Sequence, residues 1–169
     1  MRIYLIGYSY SGKTTLGRAL AKRLNYRFFD TDKAIELKFH TTVPVFFSRY
    51  GEKAFRIIER QILQSTAEDD NIVVSTGGGT ACSDENIRFI LANGTAIHLK
   101  MSIDDIMKRV AKSHKQRPLL EGKTPDEARE FISRQLAERT QYYSQAPLSI
   151  DARDATAEQL VQLLNITTP

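Results

Sequence analysis

The first twenty residues, MRIYLIGYSYSGKTTLGRAL, leave few folds open to the chain. A short apolar run, Ile3 to Ile6, breaks at Gly7 into YSYSGKTT, and apolar residues then recur at Leu16, Ala19 and Leu20 with helical spacing. That succession is a strand, a tight loop and a helix. The loop spells G-x-x-x-x-G-K-[ST], with Gly7, Gly12, Lys13 and Thr14 at the required positions. In such a loop successive backbone N–H groups converge on a phosphate, the glycines permit positive φ and close approach, and the positive end of the helix dipole faces the anion. Lys13 is then placed to reach the β- and γ-phosphates of a nucleotide, and the Thr14 hydroxyl to ligate Mg²⁺. A glycine-rich turn with a surface lysine is the bland alternative. The position of the motif, between an expected strand and an expected helix, favours nucleotide binding.

The remaining composition narrows the setting. At 169 residues the chain is expected to form one domain, residues 1–169, with a substantial core. The net charge of +4 could suit nucleic acid, but Lys and Arg are scattered and no basic run is long enough to track a backbone, so anionic small ligands explain the excess equally well. Cys82 is the single cysteine, which excludes an internal disulfide and argues against a zinc cluster. The apolar run at the N-terminus is too short for a secretory signal, and no stretch is long enough to span a bilayer. The expectation is a cytoplasmic protein that binds neither membrane nor nucleic acid.

Taken in order, RFFD (Arg27 to Asp30) reads as a second strand that ends in acid, with Asp30 and Asp32 at the passage into a helix of Ala34, Ile35 and Leu37. In a parallel sheet this is the edge that carries the phosphate loop, so both acids could face a metal and an acceptor substrate. Asp-x-Asp is equally a helix cap. Thr42 and Pro44 open a short segment that Gly51 ends, and a longer helix follows from Glu52 with Phe55, Ile58, Ile62 and Leu63 on one face. Arg56 and Glu59 lie beside that stripe, and form either a surface i,i+3 pair or a guanidinium available to a carboxylate. IVVS (Ile72 to Ser75) is a third strand, running into Gly77-Gly78-Gly79. Three glycines are expensive in chain entropy, which favours backbone lying flat against a ligand. Ser75, beside the phosphate loop, could hold a metal-bound water. Ser83 caps a helix closed by Asn93-Gly94. Thr95 to Lys100 is a fourth strand in which His98 reads as a packed side chain rather than a catalyst.

Ser102 and Asp105 resemble a capping box. The polar, basic stretch Lys112 to Lys123, with Leu119 and Leu120 inside it, is long for a loop and suggests a lid at about 112–124. Thr124-Pro125-Asp126-Glu127 is a strong helix start for a helix running to about Ser144. A fifth strand around Leu148 to Asp151 leads to a terminal helix capped by Thr156 and Gln159. Five strands alternating with helices predict an α/β fold, a doubly wound parallel sheet between two helical layers.

The ordered set Gly7 to Thr14, Asp30-Thr31-Asp32, Phe55-Arg56 with Glu59, Gly77-Gly78-Gly79, Arg117-Pro118-Leu119-Leu120, and Arg139 with Tyr143 resembles the shikimate kinases over essentially the whole chain. The resemblance implies a nucleoside monophosphate kinase-like fold with strand order 2-3-1-4-5. It also implies a substrate-binding region at about 31–62, a closing lid, and transfer of the γ-phosphoryl of ATP to the 3-hydroxyl of shikimate with Mg²⁺. It assigns Gly7, Ser11, Gly12, Lys13, Thr14 and Thr15 to ATP, Arg109 to the adenine, and Asp30 and Ser75 to Mg²⁺ through water. Arg56 and Arg139 are implied to clamp the acceptor carboxylate. Asp32 would bind the ring hydroxyls and take the proton, Gly77, Gly78 and Gly79 would offer backbone to the substrate, and Phe47 and Phe55 would line its pocket. Arg117 would arrive with the lid to meet both substrates, Lys13, Asp32 and Arg117 forming the catalytic set, and the segment around Arg153 would lie near adenine. The partners implied are ATP/ADP and shikimate, and the chain is expected to act as a monomer.

Two features depart from the family pattern. Tyr8-Ser9-Tyr10-Ser11 is bulkier than the usual loop interior, and Thr14 stands where serine is commoner. Every required group is nonetheless retained. The competing readings are a gluconate-type or other small-molecule kinase, against which Arg56, Arg139 and the triple glycine argue, and a non-catalytic nucleotide-binding regulator.

Overall fold

The computed structural model describes residues 1–113, 120 and 122–166. β1 (Arg2–Ile6), β2 (Arg27–Asp30), β3 (Ile72–Ser75), β4 (Thr95–Lys100) and β5 (Leu148–Asp151) form one parallel sheet in the order β2-β3-β1-β4-β5. The helices between them are α1 (Lys13–Leu24), α2 (Thr31–Phe39), α3 (Val43–Ser65), α4 (Asp84–Asn93), α5 (Ile103–Lys112), α6 (Pro125–Tyr143) and α7 (Ala157–Leu163).

The central strand shows why the sheet is covered on both faces. Ile3 and Leu5 point into a core shared with Leu20 of α1 and Leu160 of α7, whereas Tyr4 and Ile6 point into a second core with Ile87 and Ile90 of α4 and Ile132 of α6. All four strand residues are fully buried, so the strand reads as an unbroken apolar run, as expected of a parallel sheet between two helical layers. A third cluster, Ile35, Phe46, Phe55 and Ile62, joins α2 to α3 beside the β2 edge.

Side-chain chemistry sets most helix boundaries. Gly12 and Asn25, both left-handed, bracket α1, and Asp30 caps α2 by accepting from the Lys33 N–H. Thr42 caps α3, which breaks at Gly51 (φ 80°, ψ 170°), so the segment ending there and the longer helix from Glu52 are both present. Capping boxes open α6 at Thr124 and α7 at Thr156. The Ser102 pair differs from a true box, because the hydroxyl donates to the Asp105 carboxylate while accepting from its N–H.

Two expectations about burial are corrected. Ala19 and Leu37 face solvent, and Gly17 and Ala21 occupy the buried side of α1 in place of Ala19. Glu59 lies within the buried stripe of α3, not beside it. Gly94 closes α4 as expected, its N–H donating to the Ile90 carbonyl, but in an extended conformation (φ −178°), and glycine is required there because a Cβ would sit 2.5 Å from the Arg2 carbonyl oxygen.

The register explains where the site forms. Asp30 pairs with Ser75 across β2 and β3, and Ser75 pairs with Leu5, two residues before Gly7. An acid, a hydroxyl and the start of the phosphate loop therefore leave the carboxyl edge of three adjacent strands at one level.

Candidate active site

At this edge lies a cleft of about 380 Å³. The phosphate loop forms one wall. The Lys13 side chain is buried, and its ammonium donates to the carbonyls of Gly7 and Tyr8, both at 2.8 Å, and more distantly to Ser11 Oγ at 3.4 Å. The Thr14 hydroxyl donates to Asp30 Oδ2 at 2.8 Å and lies 3.4 Å from Ser75 Oγ. Asp30 thus does both things its sequence allowed, capping α2 with one oxygen and meeting the loop with the other. Thr14, Asp30 and Ser75 present only hydroxyl and carboxylate oxygens, a hard donor set that fits Mg²⁺.

The opposite wall comes from α2 and α3. Asp32, Phe47, Phe55 and Arg56 all line the cleft, and Arg139 enters from α6. The Arg56 guanidinium lies over the Phe55 and Phe47 rings, at 5.5 and 5.9 Å from their centroids. It donates to the Glu59 carboxylate at 2.7 Å and to Glu52 at 3.2 Å. Glu59 is 1% exposed and also accepts from the Thr80 hydroxyl at 2.6 Å, so the pair is no surface bridge; it fixes the arginine from beneath. Burial alone would weaken the Arg56 charge, but Glu59 and Glu52 outweigh it and hold its pKa above the ordinary value.

Gly77, Gly78 and Gly79 form the floor, and each is a glycine for want of room. None has a positive φ. A Cβ at Gly77 would lie 2.6 Å from Asp32 Oδ1, one at Gly78 2.6 Å from Ser9 Oγ, and one at Gly79 2.9 Å from both terminal nitrogens of Arg56. The turn therefore lies flat against the loop, the acid and the arginine of the cleft walls. It is held from behind: Gly77 N–H donates to Thr31 Oγ1 at 2.9 Å, and the Thr76 hydroxyl to the Leu5 carbonyl at 3.0 Å. The Tyr143 hydroxyl donates to the Gly78 carbonyl at 2.5 Å, and burial raises its pKa far above the ordinary range. Cys82, a free thiol beside the same carbonyl, is likewise pushed up by burial.

Of the other expected positions, Gly12 and Thr15 line the cleft, Gly7 and Ser11 lie behind it as partners of Lys13, and Ser75 is buried behind Thr14. Arg109 sits outside the loop, donating to the Tyr10 carbonyl at 2.8 Å and to the carbonyls of Ala152 and Arg153 at 3.3 and 3.4 Å. Arg117, and most of the expected lid, lie outside the described residues. His98 is part-buried against the Tyr143 ring; burial, then Lys100 and Lys13, depress its pKa to about 4. Sequence reasoning missed Ser9, Thr31, Thr80 and the seating of Glu59. A carboxylate four residues after Phe55 and three before Ile62 was the available signal for Glu59.

A sheet of this order, a phosphate loop whose lysine and threonine open on one side of a cleft, and two arginines on the other define a phosphate-loop kinase of small anionic molecules. Within that class the chain belongs to the shikimate kinase family, whose model matches residues 10–167. It is 40% identical to a shikimate kinase of Parabacteroides distasonis over 93% of this chain and 91% of that one. The crystal structure of a shikimate kinase from Bacteroides thetaiotaomicron superposes with a TM-score of 0.93 at 38% identity, covering 98% of this chain and 99% of the other. The shikimate kinase of Acinetobacter baumannii in complex with shikimate gives a TM-score of 0.86 at 32% identity, over 97% and 90%.

Proposed function

We infer that the chain transfers the γ-phosphoryl group of ATP to the 3-hydroxyl of shikimate, giving shikimate 3-phosphate and ADP for aromatic amino acid synthesis, as a cytoplasmic monomer and a single domain spanning residues 1–169. The observation that carries this reading is the convergence of Arg56 and Arg139 with Lys13 and Asp32 on one cleft. Two guanidinium groups suit a small acid whose carboxylate must be fixed against slippage, and a cleft lined by the half-buried Asp30 and Asp32 suits its hydroxyls.

In this reading Gly7, Ser11, Gly12 and Thr15 cradle the nucleotide phosphates with Lys13, and Arg109 meets the adenine near the segment around Arg153. Thr14 would hold Mg²⁺ directly, with Asp30 and Ser75 holding it through water. Bound there, Mg²⁺ supplies charge neutralisation along the phosphates. The residues of the chain do the rest. Arg56 and Arg139 orient the acceptor by its carboxylate, Phe47 and Phe55 close the apolar side of its ring, and the substrate-binding region spans about 31–62. Asp32 orients the 3-hydroxyl and accepts its proton as the new O–P bond forms and the bond to the ADP oxygen breaks. The transition state is loose, so the proton leaves late and no strong base is required. Lys13, with Arg117 brought by a lid at about 112–124, stabilises the charge on the transferred group.

The deciding experiment is an acceptor panel with ATP and Mg²⁺, read by coupled ADP release. Shikimate is expected to turn over with the highest kcat/KM. Faster turnover of gluconate or another sugar acid would overturn the substrate assignment. ATP binding by calorimetry without turnover of any acceptor would point to a regulator.

A further inference from the structure

The first variable position of a phosphate loop is free, as far as phosphate binding goes, to carry any side chain, because the cradle is made of backbone. Tyr8 does not behave as a free position. It is 6% exposed and belongs to the core on the α6 side of the sheet. Its hydroxyl donates to Gln135 Oε1 at 2.8 Å, and the Arg139 guanidinium carbon lies over its ring, 5.2 Å from the centroid. Gln135 and Arg139 are one helical turn apart on α6, so one tyrosine from the loop touches two successive turns of the helix that supplies the second arginine of the cleft.

A planar guanidinium resting on a ring keeps its N–H donors, which radiate in its own plane, available to a carboxylate. The ring therefore supports the Arg139 guanidinium without consuming its hydrogen bonds. The other end of Tyr8 belongs to the donor side. Its carbonyl accepts from Lys13 Nζ at 2.8 Å and from the Ser11 N–H at 3.2 Å. Any movement of Lys13 toward nucleotide phosphates withdraws a bond from the Tyr8 peptide, whose side chain is the seat of Arg139.

We propose that Tyr8 is a positioning residue for the acceptor, acting through Arg139 and linking the nucleotide's lysine to recognition of the acceptor carboxylate. This rests on the assignment of Arg139 to that carboxylate. A tyrosine that merely filled the core would be indifferent to ring electronics, and its replacement would shift stability, kcat and both KM values together. A positioning tyrosine shifts the shikimate KM selectively, and does so only while Arg139 is present.

The test is a cycle of Tyr8→Leu and Arg139→Met, with shikimate and ATP varied separately. Tyr8→Leu is expected to raise the shikimate KM about five- to tenfold, the worth of one partly desolvated cation–π contact, with the ATP KM and kcat within about threefold. The same change in the Arg139→Met background is expected to do nothing further to the shikimate KM. Tyr8→Phe should stay close to the parent. Phenylalanines of increasing fluorination at position 8 should raise the shikimate KM stepwise at nearly constant volume, a series that remains decisive if the leucine variant folds poorly. Additive effects in the double variant, or a flat fluorine series, overturn the proposal and leave the carboxylate assignment standing. An Arg139→Met variant with the parent's shikimate KM overturns both.

Discussion

Replacing Gly79 with alanine adds one methyl group at a point where the structure allows none. Its Cβ would lie 2.9 Å from both terminal nitrogens of Arg56 and 3.2 Å from the guanidinium carbon, whereas ordinary non-bonded contacts settle near ~3.5–4.0 Å. Gly79 does not use a positive φ, so alanine brings no backbone strain, and the group in its way is the end of a flexible, 36% exposed side chain. The guanidinium must therefore retreat by roughly 0.5–1 Å, which a charge-assisted, two-point contact to a carboxylate does not tolerate. Such hydrogen bonds contribute about 1.5–3 kcal/mol; displacing the donor instead of deleting it forfeits about half, ~1–2 kcal/mol, or roughly 5–30-fold in the shikimate KM. Thermal unfolding should move by no more than about 3 °C, and the ATP KM should hold within about twofold, because the loop contact of the turn is made at Gly78. The assay is ADP release at saturating ATP with shikimate varied, beside a melting curve. An unchanged shikimate KM in a protein with the parental melting temperature would refute the placement of Arg56 on the acceptor. An equal rise in both KM values would show that the turn deforms as a whole.

Two further outcomes concern stability. His98 is held near pKa 4 against an ordinary value of about 6.5, so the unfolded chain takes up a proton first as the pH falls and the native state is disfavoured between about 6.5 and 4. Discounted for partial exposure, the loss is on the order of 1–2 kcal/mol. Urea titrations at pH 7.5 and 4.5 should show this slope in the parent and a shallower one in His98→Gln, and identical slopes would remove the histidine from the account. Gly94→Ala sets a Cβ 2.5 Å from the Arg2 carbonyl and 2.8 Å from the fully buried Tyr4 ring, neither of which can step aside. It should lower the unfolding free energy by about 1–3 kcal/mol in urea denaturation with kcat unchanged; a loss under about 0.5 kcal/mol would mean that the start of β4 yields freely.

The inner strands were readable because burial on both faces leaves nearly unbroken apolar runs such as IYLI and IVV, and the helix starts because Thr124 and Thr156 carry capping partners at fixed offsets. Burial within helices was less readable. Ala19 and Leu37 are apolar by type yet face water, since one apolar side chain on a helix surface costs little and periodicity alone does not exclude it. Glu59 escaped for the opposite reason: a carboxylate in an apolar stripe is tolerable only because Arg56 and Thr80 meet it, and Thr80 is 21 residues away in sequence. The glycines at 77–79 pointed to close approach, but which groups approach is decided by three separate segments that only the fold brings together. Tyr8 was the residue least explained by the loop motif, and its explanation lies 127 residues away in α6.

The floor of the cleft also has a consequence for heredity. Ser9, Asp32 and Arg56 each stand against a different glycine, so the codons for 77, 78 and 79 are constrained by different neighbours although they are adjacent in the gene. A lineage adding bulk at 78 meets the phosphate loop, and one adding it at 77 or 79 meets Asp32 or Arg56. The bulky loop residues carry constraints of their own, because Tyr8 is held by Gln135 and Arg139, and Tyr10 packs against the same core while lining the cleft. Three adjacent codons thus answer to three distant segments, and almost no change can accumulate on this floor.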